Sequence, residues 1–227
     1  VSWEERQTRL RASAASSWLS KTAQRALLLE YEDEGLPSPV LNAHRMADLG
    51  HDLDDVVNLS AGGQIHRQPP PFVVDAVRTA VDEGRFHYPG IRGDADLRTA
   101  LAEKLARENG IVADPEAELL PTIGAQMAID GAVRILVNPG DDVLLFEPEY
   151  ASMEPVIRIY GGRPVPVPLR DEPGGWVFDP DTFRDRVTRT TRLICFSNGH
   201  NPTGYLFTRE DLETIAAAAR EHDLFVF

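Results

Sequence analysis

Phe196-Ser197-Asn198-Gly199-His200-Asn201-Pro202-Thr203-Gly204 lies between two segments of different periodicity. Before it, Leu193-Ile194-Cys195-Phe196 is a continuous apolar run, which reads as a short buried strand. After it, Thr208 and Asp211 have the spacing of a capping box, and an amphipathic helix follows. The stretch is therefore a loop leaving the C-terminal end of a strand, the place where open α/β sheets bind ligands. Asn201-Pro202-Thr203-Gly204 is itself a turn signal. Pro202 fixes its own φ and holds Asn201 extended, so the Asn201 amide is free to point at something. A bare strand-to-helix turn satisfies the same four residues.

The same strand–loop–helix rhythm recurs upstream. Val56 to Gln64 reads as a short strand running into the Gly62-Gly63 turn. Pro69-Pro70-Pro71 opens a helix at about Phe72, with Val73, Ala76, Val77 and Ala80 on one face. The loop from Phe86 to Gly93 contains Tyr88 and precedes a helix capped by Asp94, striped by Leu97, Leu101 and Leu105, and ended by Gly110. Leu120 to Gln126 reads as strand, glycine, helix start. That helix runs to about Val137, with Ala128, Ala132 and Ile135 inward. A glycine at a helix N-terminus, with free amides and the helix dipole behind it, suits a phosphate, although an ordinary βα turn looks the same. Asp142 to Phe146 is a second buried strand, and Tyr150 lies just past its end. Gly161 to Leu169 alternates like a strand, and its three prolines confine it to an edge. Trp176 to Arg186 reads as a loop and short helix, and Leu224 to Phe227 as another apolar strand.

Composition narrows the function classes. The chain has 227 residues and a 42% hydrophobic fraction, enough for a substantial core. A net charge of −13 argues against a nucleic-acid partner, because phosphate contacts need clustered Lys and Arg. Cys195 is the only cysteine, so no internal disulfide forms, and its apolar surroundings suit core packing. The six histidines have no metal-ligand spacing. No apolar run reaches the ~18 residues of a membrane span, and the N-terminus is charged, so a cytoplasmic location is the default.

Together these motifs resemble the fold-type I pyridoxal-phosphate enzymes, in particular the class I/II aminotransferases. Ser197 to Gly204 is similar to that family's Asn-Pro-His-Asn-Pro-Thr-Gly run, with Gly199 where the family usually has proline. The resemblance implies that Asn201 donates to the cofactor's ring oxygen and that Tyr150 stacks on the pyridine ring. It implies that Gly124, Ala125 and Gln126 contact the phosphate, and that Tyr88 reaches the phosphate of a neighbouring subunit's cofactor. Gly62 then approaches the substrate carboxylate, although Gly63-Gln64 departs from the family's Glu-Pro. The implied fold is α/β, a mostly parallel sheet with flanking helices. Residues 1–55 are an N-terminal arm or small-domain segment, and residues 56–227 are the pyridoxal-phosphate-binding large domain, truncated at its C-terminal end. The implied reaction moves an amino group between an amino acid and a 2-oxo acid in a homodimer.

The family's Schiff-base lysine and pyridine-binding Asp are not matched. The two lysines, Lys21 and Lys104, fall in the arm and in the helix after Asp94, so no catalytic residue is assigned and no metal is implied. The expectation is an aminotransferase parent whose 227-residue portion is inactive alone. Three rivals stay open. One is a C–S lyase or other β-eliminating enzyme of the same fold, and another is a non-catalytic or partner-completed pyridoxal-phosphate-binding subunit. The third is a nucleotide-binding sheet, which lacks a Gly-x-Gly-x-x-Gly after a strand.

Overall fold

Val143-Leu144-Leu145-Phe146 is apolar at every position, and a strand of that kind needs cover on both faces. The computed structural model, which describes residues 68–227, supplies it. These residues form two compact units, 68–125 and 126–227.

The second unit holds a four-stranded parallel sheet. Its strands are β1 (Asp142–Glu147), β2 (Arg163–Pro168), β5 (Thr191–Cys195) and β6 (Phe225–Val226), in the order β2-β1-β5-β6. Successive side chains of a strand point to opposite faces, and the core divides accordingly. Val143, Leu145, Leu193 and Cys195 pack with Ile129 and Val133 of helix α3 (Gly124–Leu136), with Val137 just past its end, and with Met153, Val156 and Ile157 of α4 (Met153–Ile159). Leu144, Phe146 and Ile194 face the other way. They meet Phe183 of α5 (Pro180–Arg186), and Ile215, Ala218 and Ala219 of α6 (Arg209–Glu221). Phe146 is the hub of this side, with ring centroids of Phe178, Phe183, Phe196 and Phe207 4.9 to 6.0 Å away.

Among the described residues the proline-rich strand is at an edge, as expected, and the reason is visible. Arg163 N–H donates to the carbonyl of Asp141, just before β1, and Leu169 N–H to that of Glu147, the last residue of β1. By alternation Val165 and Val167 face β1 as well. Pro164, Pro166 and Pro168 fall at the positions whose nitrogens point away, where no donor is needed. The helix expected after the Asn201 loop starts on its cap: Thr208 accepts from Asp211 N–H, and Asp211 accepts from Thr208 N–H.

Two expectations in this unit are corrected. Ile135 is 80% exposed, because the inward stripe runs through Ile129 and Val133 of α3 to Val137 just past its end, one residue every fourth position. Trp176 lies in a strand: Arg170–Glu172 (β3) and Gly175–Val177 (β4) form an antiparallel hairpin, and Gly175 at φ +116° makes its turn. Only then does α5 begin, at Pro180, with Asp179 capping the amides of Asp181 and Thr182.

In the first unit, α1 (Pro71–Asp82) starts on Pro70-Pro71 as expected, but Phe72, Val77 and Val81 are exposed, so its apolar face is not covered among the described residues. Helix α2 (Ala95–Asn109) ends on Gly110 in the left-handed conformation. Asp94 holds the N-cap position without a side-chain hydrogen bond. Leu101 and Leu105 are half-buried and Leu97 is exposed. No strand forms at Leu120, which is 65% exposed. An apolar pair without a neighbouring strand to bond has no reason to be one. No described helix is long and apolar enough to cross a membrane.

Candidate functional site

Because β1 and β5 are parallel neighbours, their C-terminal ends open at the same end of the sheet. From β1 the chain passes through Pro148 and Glu149 to Tyr150. From β5 it passes through Phe196 into the Ser197–Gly204 loop.

The second of these loops is fixed by its own polar groups. Asn201 N–H donates to Ser197 Oγ (3.1 Å) and Phe207 N–H to Asn198 Oδ1 (3.1 Å). Gly204 N–H donates to the His200 carbonyl (2.6 Å), and His200 N–H to that of Tyr205 (2.8 Å). What this holds up is the Asn201 side chain. It is exposed, and among the described residues its amide makes no hydrogen bond. Tyr150 is 42% exposed, and its N–H donates to Glu149 Oε1 at 2.6 Å. A flat ring and a polar amide thus stand at adjacent strand exits, the kind of pair that can hold a planar heteroaromatic ligand.

Beneath them are two residues to which the sequence reading gave no role. The His200 ring is buried, the Glu149 carboxylate nearly so, and His200 Nε2 faces Glu149 Oε2 at 3.5 Å. A charged residue between Pro148 and Tyr150 is the only local signal of the pair. Its burial depends on a partner fifty-one residues away. Behind it, the Cys195 thiol is pushed up to about 12, first by burial and then by the charge of Glu149. Tyr205 is likewise raised to about 12, mainly by burial and next by its 2.6 Å hydrogen bond to Asp211.

The other expected residues are placed as follows. Gly124 opens α3 at φ +72°, with nothing within 4 Å of where a Cβ would stand. Its N–H donates to Thr122 O, and Thr122 Oγ1 donates to Gly124 O. Ala125 and Gln126 follow in the first turn and are exposed. The N–H groups of a first turn have no intrahelical acceptor. Helix α3 reaches β1 through the tight Asn138–Asp141 turn.

Tyr88 is 98% exposed. Its loop is anchored by Arg98, which is 5% exposed. Arg98 donates to the carbonyls of Gly93 (2.5 Å) and Pro115 (2.8 Å) and pairs with Glu116 (2.6 Å). A buried guanidinium satisfied mainly by carbonyls fixes backbone geometry. Gly62 and Lys21 lie outside the described residues. Lys104 is on α2, ion-paired to Glu108 at 2.6 Å.

Comparison with known proteins identifies the family. Residues 54–227 match the family described as aminotransferase class I and II. The chain is 41% identical over 157 residues to the probable N-succinyldiaminopimelate aminotransferase DapC of Mycobacterium tuberculosis, covering 69% of this chain and 40% of that protein. It is 35% identical over 172 residues to the probable aspartate/prephenate aminotransferase of Thermus aquaticus, covering 76% and 44%. Among solved structures, the aspartate aminotransferase from Thermus thermophilus with maleate superposes with a TM-score of 0.80 at 32% identity, covering 93% of this chain and 52% of that one. The chain therefore spans about half the length of the relatives it matches. A parallel sheet with helices on both faces, an aromatic and an asparagine at neighbouring strand exits, and a family match over 174 of 227 residues (54 to 227 inclusive) lead to one assignment: the chain belongs to the aminotransferase class I and II family.

Proposed function

We propose that residues 56–227 are the cofactor-binding domain of a pyridoxal 5'-phosphate-dependent aminotransferase. Residues 1–55 form its arm or small-domain segment. The whole protein moves an amino group between an amino acid and a 2-oxo acid. The observation that carries this reading is the pair at the strand exits, an accessible Tyr150 ring and an Asn201 side-chain amide with no partner among the described residues.

The donor set suits the cofactor. Tyr150 offers a ring face to a flat heterocycle, and Asn201 a neutral donor to a ring oxygen. Gly124, Ala125 and Gln126 are assigned to the phosphate, because a first helical turn stabilises an anion through its free amides and dipole. Gly62 is assigned to the substrate carboxylate. Tyr88, with its hydroxyl in solvent, is assigned to the neighbouring subunit's phosphate in a cytoplasmic homodimer. When bound, pyridoxal phosphate supplies the electron sink that makes the α-hydrogen of an amino acid removable. The residues named here bind and orient. None is a base for that hydrogen, and Lys104, ion-paired on α2, is not assigned one. The 227-residue chain accordingly holds the cofactor without turnover.

Equilibrium titration of the chain with pyridoxal 5'-phosphate tests the reading. Saturable binding is expected, weakened about ten-fold by Tyr150→Ala and by Asn201→Ala. Borohydride reduction and peptide mapping should leave Lys21 and Lys104 unmodified. A stoichiometric adduct on either lysine, together with amino-acid-dependent turnover, would overturn the assignment.

A further inference from the structure

Glu149 and His200 are buried, polar and unused by any role given above. Among the described residues, His200 Nε2 and Glu149 Oε2 have no hydrogen-bond partner, and they face one another at 3.5 Å. Leaving one such atom unpaired in a core is unfavourable, and the arrangement leaves two on one line unless they serve each other.

The group facing each ring nitrogen decides where the proton sits. Thr203 Oγ1 accepts from Tyr205 N–H at 3.1 Å and lies 3.0 Å from His200 Nδ1. The Thr203 hydroxyl can serve Nδ1 as donor or as acceptor, so the tautomer is set at the other nitrogen, where the Glu149 carboxylate, an acceptor, calls for an N–H. The proton of a neutral imidazole is then on Nε2, aimed at Glu149 Oε2, and Nδ1 accepts. The other carboxylate oxygen, Oε1, already accepts from Tyr150 N–H. Glu149 thus presents two acceptors to two donors, one on each loop.

We propose that Glu149 and His200 are positioning residues. They form a buried latch, Thr203 Oγ–H to His200 to Glu149 to Tyr150 N–H, that sets the Tyr150 loop against the Asn201 loop. The inference rests on the reading of Tyr150 and Asn201 as a ligand pair, but the latch itself is a property of the chain without ligand. The residues directly preceding Tyr150 and Asn201 are the two in contact, so a change at the latch reaches both with one intervening backbone unit.

Glu149→Gln is the informative substitution. It keeps the shape of the side chain but has one oxygen where Glu149 has two. The oxygen stays with Tyr150 N–H, the amide NH2 turns to His200, and Nε2 must become an acceptor. The proton then moves to Nδ1, which donates to Thr203 Oγ1. Long-range 1H–15N correlation spectra of the 15N-histidine-labelled chain read this directly. The expected result is an Nε2–H tautomer at His200 in the wild type and Nδ1–H in Glu149→Gln. A wild-type Nδ1–H tautomer, or a tautomer indifferent to Glu149→Gln, overturns the latch. If Glu149→Gln does not fold, the wild-type tautomer alone decides.

Titration with pyridoxal 5'-phosphate is the second arm. Binding about ten-fold weaker in Glu149→Gln than in wild type supports the positioning role. Equal binding overturns it. No binding to wild type overturns the functional reading instead, and the tautomer pair then decides the latch by itself.

Discussion

Replacing Tyr205 by Phe removes one hydroxyl whose worth changes with pH in a direction the structure fixes. Tyr205 Oη donates to Asp211 Oδ2 at 2.6 Å, and the same oxygen accepts from Thr208 N–H at 2.8 Å in the cap of α6. Tyr205→Phe leaves Asp211 bonded to Thr208, so no buried charge is stranded. The loss is then at the lower end for a hydrogen bond to a charged group, about 1.5 kcal/mol near neutral pH. Tyr205 ionises at about 12 in the folded chain against 10.0 ordinarily, because burial and then the Asp211 bond favour the neutral phenol. A pKa raised on folding gives stability that is complete below the unfolded value and is lost as the pH rises through the folded one. By pH 11 the two-unit shift removes about 1.4 kcal/mol, or about 1 kcal/mol after allowing for the phenol's remaining contact with water. Titrations common to both chains cancel. Urea denaturation of wild type and Tyr205→Phe should therefore show a gap of about 1.5 kcal/mol at pH 8 that shrinks to about 0.5 kcal/mol at pH 11. Phenolate absorbance should lose one late-titrating tyrosine in the variant. A gap that stays constant or widens with pH refutes the reasoning.

Three further outcomes are expected. Gly162→Ala should destabilise by about 1–3 kcal/mol in the same denaturation assay, because its Cβ would stand 2.7 Å from Val137 Cγ1 and 2.9 Å from Ile157 Cγ2. Asp142→Asn should cost about 1–3 kcal/mol at pH 7. Burial alone would raise the Asp142 carboxyl, but bonds from Thr190, Arg163 and Thr188 outweigh it and hold it below the ordinary carboxylate range. The difference from wild type should therefore fade as the pH drops through the ordinary value and below. Cys195 should resist a disulfide reagent at pH 8 in the native chain and react on unfolding, since the buried thiol ionises only at about 12.

The elements legible in the sequence were those whose signal is local. Thr208 and Asp211 announce a helix start by spacing alone, and Gly110 announces an end. Val143 to Phe146 reads as buried because both faces are apolar. Pro164, Pro166 and Pro168 read as an edge because proline cannot donate. What stayed hidden depends on partners. The β3–β4 hairpin is three residues a side, too short for alternation to show. Ile135 is as apolar as Ile129, and only the direction of α3 over the sheet decides which of them is covered. In the candidate site, Tyr150 and Asn201 could be placed at strand ends, but Glu149 and His200 could not be paired. Neither carries a mark that the other exists.

The β1–β5 pairing also has a consequence for the order in which the molecule acquires the proposed site. The two strands are neighbours in space, with Leu144 beside Ile194, yet fifty residues of chain separate them, including all of β2, the hairpin and α5. Closing a loop of that length costs entropy before any contact repays it, so such a pairing belongs to the slow part of folding, after local helices and the hairpin. Tyr150 and Asn201 come together only when that closure is complete. A partly folded chain can therefore have most of its helices and neither half of the proposed site. Pulse-labelled hydrogen exchange should show the β5 amides protected together with the His200 amide, and later than those of α6.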